Sequence, residues 1–227
     1  MSEQLQRSRP FLILAAVILL AWAAVPAILP APAAPARGGD DAAAWAQRLD
    51  AAAGRGFSFP AGTSPASVKL VTDAVAAARP EAQQLIDRVD GVTDVSFGPT
   101  GQSALGTTTM TGGRFRVVLD VDATYADGGA RGITRLVLHE IAHVVDLALL
   151  DEELRGQLDA QIPAGYACAP GEPTGACAPV HERFAETFAK WATGDIGAAL
   201  YLGYKVPPPS VTLDAWGAPL SQLAATA

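Results

Sequence analysis

The chain has 227 residues, half of them apolar, with 16 basic against 23 acidic side chains and a net charge of -7. That length and apolar fraction exclude disorder throughout, and two cysteines are too few for a disulfide scaffold. An acidic chain without a basic cluster excludes nucleic acid as a partner, because phosphate binding needs grouped Lys and Arg.

Residues 11–29 read FLILAAVILLAWAAVPAIL, without a charge, behind Arg7 and Arg9. Such a run at about 1.5 Å per residue just crosses a hydrocarbon core of roughly 30 Å. Two readings stand. One is a signal peptide cut near Ala34-Pro35-Ala36; the other is an uncleaved membrane anchor with a cytoplasmic amino end. Either way the body of the protein is exported, membrane-anchored with an extracytoplasmic catalytic domain or secreted after cleavage. In an oxidising compartment Cys168 and Cys177, flanking the loop CAPGEPTGAC, are expected to pair as a disulfide.

Residues 30–39 read as an Ala/Pro linker, so residues 1–36 form a signal or anchor segment. Asp40 and Asp41 can cap a helix over 42–53 that Gly54 and Gly56 end. A second helix starts at Ser64-Pro65; Pro80 breaks or restarts it, and EAQQLIDRV runs on to Gly91. Residues 40–90 are thus a helical segment packing on or preceding the domain at 91–227. Short β-branched stretches follow at 92–97, 105–110 and 114–121, with Thr111-Gly112-Gly113 as a hairpin turn. DATYADGGARG reads as a loop. A long helix over 133–150 comes next, then helices over 151–160 and 180–193, and a tail with Pro207-Pro208-Pro209. Helices, a small antiparallel sheet and helices again make an α+β fold.

The chain has only three histidines, which makes the place of each informative. His139 and His143 in LVLHEIAHVVDLALL are four apart, so on a helix they share a face and can present two imidazoles to one metal ion. Glu140 between them can take a proton from a metal-bound water, which makes this the H-E-x-x-H signature of zinc hydrolases. Asp146, three residues after His143, stays on the same side and can orient an imidazole. A catalytic zinc needs a third protein ligand, and VHERFAETFAKW offers Glu182 and Glu186, four apart. One of them can ligate while the other orients a histidine. His181 neighbours Glu182 and points about a quarter-turn away, either towards substrate or cap or into solvent.

HEIAHVVD followed about forty residues later by ERFAETF resembles the catalytic domain of the anthrax lethal factor and Pro-Pro endopeptidase family of gluzincins. The resemblance implies a zincin-like domain over 91–227, with His139, His143 and Glu182 as zinc ligands, Glu140 as general base and Glu186 behind the ligands. The family carries a tyrosine seven residues before its ligand Glu; here that position is Gly175, and Tyr166, Tyr201 and Tyr204 are the replacements to consider. The strand beside the metal helix is expected to pair with extended substrate, and Arg114–Val121 is its candidate. The expected activity is a zinc-dependent peptidase acting on a peptide or protein substrate outside the cytoplasmic membrane, with the membrane itself a partner through residues 11–29 if these are not cleaved. Two alternatives remain: an aspartate-type zincin with Asp146 as third ligand, and a non-catalytic, membrane-tethered metal-binding module.

Overall fold

In the computed structural model, which describes residues 39–101, 104–164, 177–197 and 205–226, helix boundaries follow capping chemistry. The first helix, α1, spans Gly39–Ala52. In α2 (Pro65–Ala76) Ser64 accepts from the Ser67 N–H and Pro65 fills the first turn, where its missing N–H costs nothing. Pro80 opens a separate helix, α3 (Pro80–Asp87), and a 3-10 turn at Asp90–Val92 leads into the sheet. All described residues belong to a compact unit spanning Ala36–Ala227.

Strand β1 covers Thr93–Phe97, β2 Gly106–Thr111 and β3 Arg114–Leu119. The sheet order is β1-β3-β2, with β2 antiparallel and β1 parallel to β3. The sheet is therefore mixed rather than antiparallel as expected. The reason lies in the side chains: β3 buries Phe115, Val117 and Leu119 and takes the centre, while the threonine-rich β2 tolerates an edge. Gly112 and Gly113 both have positive φ, 61° and 74°, as the two-residue hairpin turn between β2 and β3 requires. Because β3 is paired on both sides, it has no free edge for a further strand, contrary to the expectation for Arg114–Val121. β1 is bridged on its outer side at Ser58, so β2 carries the open edge among the described residues.

The segment expected as a loop after β3 is helical. Asp120 accepts from the Ala123 N–H and starts α4, Val121–Leu149, whose path breaks at Gly129 (φ 59°, ψ -154°). Glycine can take that conformation without a Cβ clash, so the chain turns there and resumes as the helix that carries His139 and His143. α5 (Glu152–Asp159) and α6 (Val180–Thr193) match the expected stretches. A further helix, α7 (Leu213–Ala225), was not anticipated, since Gly217 and Pro219 sit inside it. Its Thr212 cap and buried Trp216 and Leu220 outweigh those two residues.

The sheet lies against α4 on one face, and α2, α6 and α7 complete the core around it. Trp45 of α1 meets Phe115 edge-on, and its indole N–H donates to the Ala148 carbonyl at 3.2 Å. Phe184, Phe188 and Trp191 of α6 join Trp216 of α7 in one aromatic cluster. These rings fix how α6 lies on the core.

One expectation is corrected. Among the described residues no helix is long and apolar enough to cross a membrane; even α4 is interrupted by Asp122, Asp127, Arg131 and Arg135. Cys177 carries no free thiol, and its expected partner lies outside the described residues. The apolar run 11–29 and Cys168 lie outside the described residues.

Gly217 sits where a Cβ would overlap the Trp191 indole. Gly217→Ala should therefore lower the unfolding free energy by about 1–3 kcal/mol through overpacking, despite alanine's better helix propensity. Denaturant titration checks this; an unchanged or higher midpoint would show that the indole can move aside.

Candidate metal centre

His139 and His143 project from one face of α4, with ring centroids 5.0 Å apart and planes nearly perpendicular. α6 crosses α4 there and brings Glu182 against both rings. Its Oε2 lies 3.1 Å from His139 Nε2 and its Oε1 3.5 Å from His143 Nε2. One ligand atom from each of these residues lies within 4.8 Å of the others, so the three can converge on a single cation. The three side chains are 10–23% exposed, which leaves a path from solvent.

Glu140 is buried beside them. The Thr108 hydroxyl of β2 lies 2.8 Å from Glu140 Oε2 and 3.0 Å from the Glu140 backbone carbonyl, so it anchors one carboxylate oxygen. The other, Oε1, faces Gly106, where an added Cβ would overlap the carboxylate. The edge strand thus holds the acid with one residue and makes room for it with another. Strand register produces this pairing: Gly106 and Thr108 sit opposite Leu119 and Val117 and share the face turned to α4.

Glu186, one turn along α6 from Glu182, lies on the far edge of the His139 ring, with its Oε2 3.5 Å from Nδ1. Two cations flank the same carboxylate: Lys190 Nζ at 3.3 Å and Arg135 at 3.5 Å from Oε1. Arg135 also donates to the Asp195 carbonyl and Lys190 to the Val206 carbonyl, both at 2.6 Å. Asp146 is placed elsewhere. Its Oδ1 accepts from Arg155 Nε at 2.5 Å, while Arg155 also donates to the Asp146 and Leu150 carbonyls and so ties off the end of α4. The carboxylate nearest an imidazole's second nitrogen is that of Glu186. His181 turns towards the centre, with its Nε2 3.6 Å from Glu182 Oε1 and its ring 5.7 Å from that of His143. Gly175, Tyr166, Tyr201 and Tyr204 lie outside the described residues, as does Cys168.

The charges at this centre are strongly coupled. Burial pulls the His139 pKa down, but hydrogen bonding to Glu182 and Glu186 outweighs it and raises it to about 10. Burial and the neighbouring His139 charge push His143 down to about 3. Burial works to raise Glu182, yet the imidazoles win and hold it down at about 2. Glu140 is lifted to about 7, chiefly by burial, against the pull of His139 and Thr108. Without a cation the centre therefore holds one proton on His139 and leaves His143 free to accept a bond. Arg135 and Lys190, whose residue types and spacing alone do not reveal this network, complete its surroundings around Glu186.

A cation that binds His139 must displace that proton. The expected outcome is release of about one proton per zinc at pH 8, with affinity rising roughly tenfold per pH unit until His139 titrates near pH 10. Calorimetry in buffers of different ionisation enthalpy measures the count. Binding at pH 8 without proton release would show that His139 is already neutral in the free centre or is not a ligand.

No family model matches the chain, and no curated protein or solved structure is significantly similar to it, so the geometry of this centre carries the functional reading.

Proposed function

We propose that the chain is a zinc-dependent peptidase of the gluzincin type, with His139, His143 and Glu182 as ligands and Glu140 as general base. One observation carries this reading. The ligand atoms of a tetrahedral zinc with bonds of about 2.0–2.2 Å stand roughly 3.3 Å apart. Glu182 reaches the His139 nitrogen at 3.1 Å through Oε2 and the His143 nitrogen at 3.5 Å through Oε1, and one ligand atom from each of the three residues lies within 4.8 Å of the others, so the donors stand close to the spacing such an ion needs. Two neutral-capable imidazoles and a carboxylate are also the donor types that zinc hydrolases use, with one position left for water. The apolar run behind Arg7 and Arg9 supports export of the domain.

A zinc ion bound there supplies Lewis acidity to a peptide carbonyl and lowers the pKa of water towards neutrality. The protein's own groups do the rest. Glu140 takes the proton from the attacking water at Oε1 and returns it to the leaving nitrogen. A carboxylate whose pKa is lifted to about 7 is suited to transfer in both directions near neutral pH. Thr108 fixes Oε2 and so aims Oε1. Glu186 holds the His139 ring from behind, which keeps Nε2 towards Glu182. β2 is the strand available to an extended substrate, since backbone pairing recognises a peptide without demanding one side chain. Engagement of Asp146 by Arg155 weighs against the aspartate-type alternative.

Glu140→Gln should keep one zinc per chain while peptide cleavage falls by about 10²–10⁴-fold. Persistent cleavage in this variant would sink the assigned mechanism. In a parallel pair, Glu182→Ala should lose zinc and Asp146→Asn should retain it, read by metal analysis after gel filtration. The reverse pattern would move the third ligand to Asp146. Stoichiometric zinc with no hydrolysis across a peptide library would instead favour a non-catalytic metal-binding module.

A further inference from the structure

Beyond the Lewis acidity of a bound zinc, hydrolysis at this centre is accelerated by a hydrogen-bond donor to the carbonyl oxygen, which becomes negative as water adds. The carboxylates of Glu140, Glu182 and Glu186 cannot serve when ionised, because they only accept and would repel the new charge. The Thr108 hydroxyl is directed to Glu140. Among the described residues, two side chains besides Glu140 lie against the ligand triad. Glu186 sits behind His139 and is buried, whereas His181 stands on the open side with its ring 40% exposed.

We propose that His181 is a catalytic residue that donates its Nε2–H to the carbonyl oxygen of the scissile bond; this rests on the peptidase reading above. Its Nε2 already points inward, 3.6 Å from Glu182 Oε1, the same oxygen that faces His143 Nε2 at 3.5 Å. The donor therefore borders the ligand set without belonging to it: the three residues that converge within 4.8 Å exclude His181. The role requires the hydrogen on Nε2, which both the Nε2–H tautomer and the imidazolium supply. No bond to His181 forms or breaks, and its hydrogen stays on Nε2 throughout.

The placement is rigid. His181 lies in the first turn of α6, next in sequence to Glu182, and the helix is anchored three to ten residues on by buried Phe184, Phe188 and Trp191. A donor and a ligand carried by adjacent residues of one helix keep a fixed separation, which is what stabilising a developing charge demands. Exposure on the solvent side is also what a group meeting substrate needs, whereas a ligand-orienting residue is better served by burial.

The test compares His181→Phe, which keeps a ring and removes the N–H, with His181→Gln, which restores a side-chain N–H. The full zinc-loaded chain is assayed on the best-cleaved member of a quenched-fluorescent peptide library, and its affinity for N-phosphoryl-Leu-Trp, a tetrahedral oxyanion, is measured by calorimetry. His181→Phe should lower kcat by about 10²–10³-fold with KM within about threefold, and weaken the phosphoryl dipeptide by a similar factor. Zinc affinity by chelator competition should be unchanged, and His181→Gln should recover at least about tenfold of both losses. The proposal is overturned if kcat and phosphoryl-dipeptide binding stay within about threefold of the parent, or if zinc affinity falls with them, which would make His181 a ligand. If the parent chain binds zinc yet cleaves no peptide, the peptidase reading fails, and the phosphoryl-dipeptide comparison still judges His181.

Discussion

The α4–α6 interface has to hold three ionised side chains, Arg135, Glu186 and Lys190, none of them more than 5% exposed. Water cannot solvate these charges, so they must satisfy one another and the nearby backbone. Glu186 takes the central place: Lys190 and Arg135 flank its Oε1, and His139 lies against its Oε2. Burial alone would favour its neutral form, but His139, Lys190 and Arg135 together hold its pKa below the usual carboxylate range. Losing either cation would strand a buried charge, a change that commonly costs about 3–5 kcal/mol. The crossing of the two helices is thereby fixed in register, and with it the approach of Glu182 to both imidazoles. The Asp195 and Val206 carbonyls bond to the same two cations, so backbone beyond α6 depends on this cluster as well.

The sheet contributes by a different route. Its central strand fills the core with alternate side chains, and its polar edge strand reaches Glu140. Thr108 and Gly106 act on Glu140 only because the β2–β3 hairpin keeps their row facing α4. A shift of one residue in that register would turn both away and aim Thr107 and Thr109 at the helix instead. The two positive-φ glycines of the turn are thus linked to the aim of a carboxylate on another element.

Much of this was legible before any coordinates. Spacing of four placed His139 with His143 and Glu182 with Glu186, since helical geometry depends on sequence separation alone. A cap and two prolines marked α2 and α3 for the same reason. What could not be read depended on meetings between distant elements. Asp146 has the right spacing to serve His143, but α5 delivers Arg155 to it first. Arg135 and Lys190 look like surface charges until α4 and α6 are laid together. His181 was assigned a direction from its i+1 position, but a first-turn side chain of that length can swing back across its own helix end. The mixed sheet was missed because a hairpin signal fixes β2 and β3 and says nothing about which side of β3 receives β1.

The break at Gly129 divides α4 into two parts of unequal burial. Before it, Asp122, Tyr125, Ala126 and Asp127 are exposed and Thr124 is the one buried residue; after it, Ile133 and Leu136–Leu138 enter the core. In terms of cooperative units, the first part can open on its own at small free-energy cost, while the histidine-bearing part opens only with the whole domain. A long continuous helix would have joined the two, passing any fraying at Val121 down the hydrogen-bond ladder towards His139. Because one glycine interrupts that ladder, the histidine-bearing turns are insulated from any fraying of their own leading end.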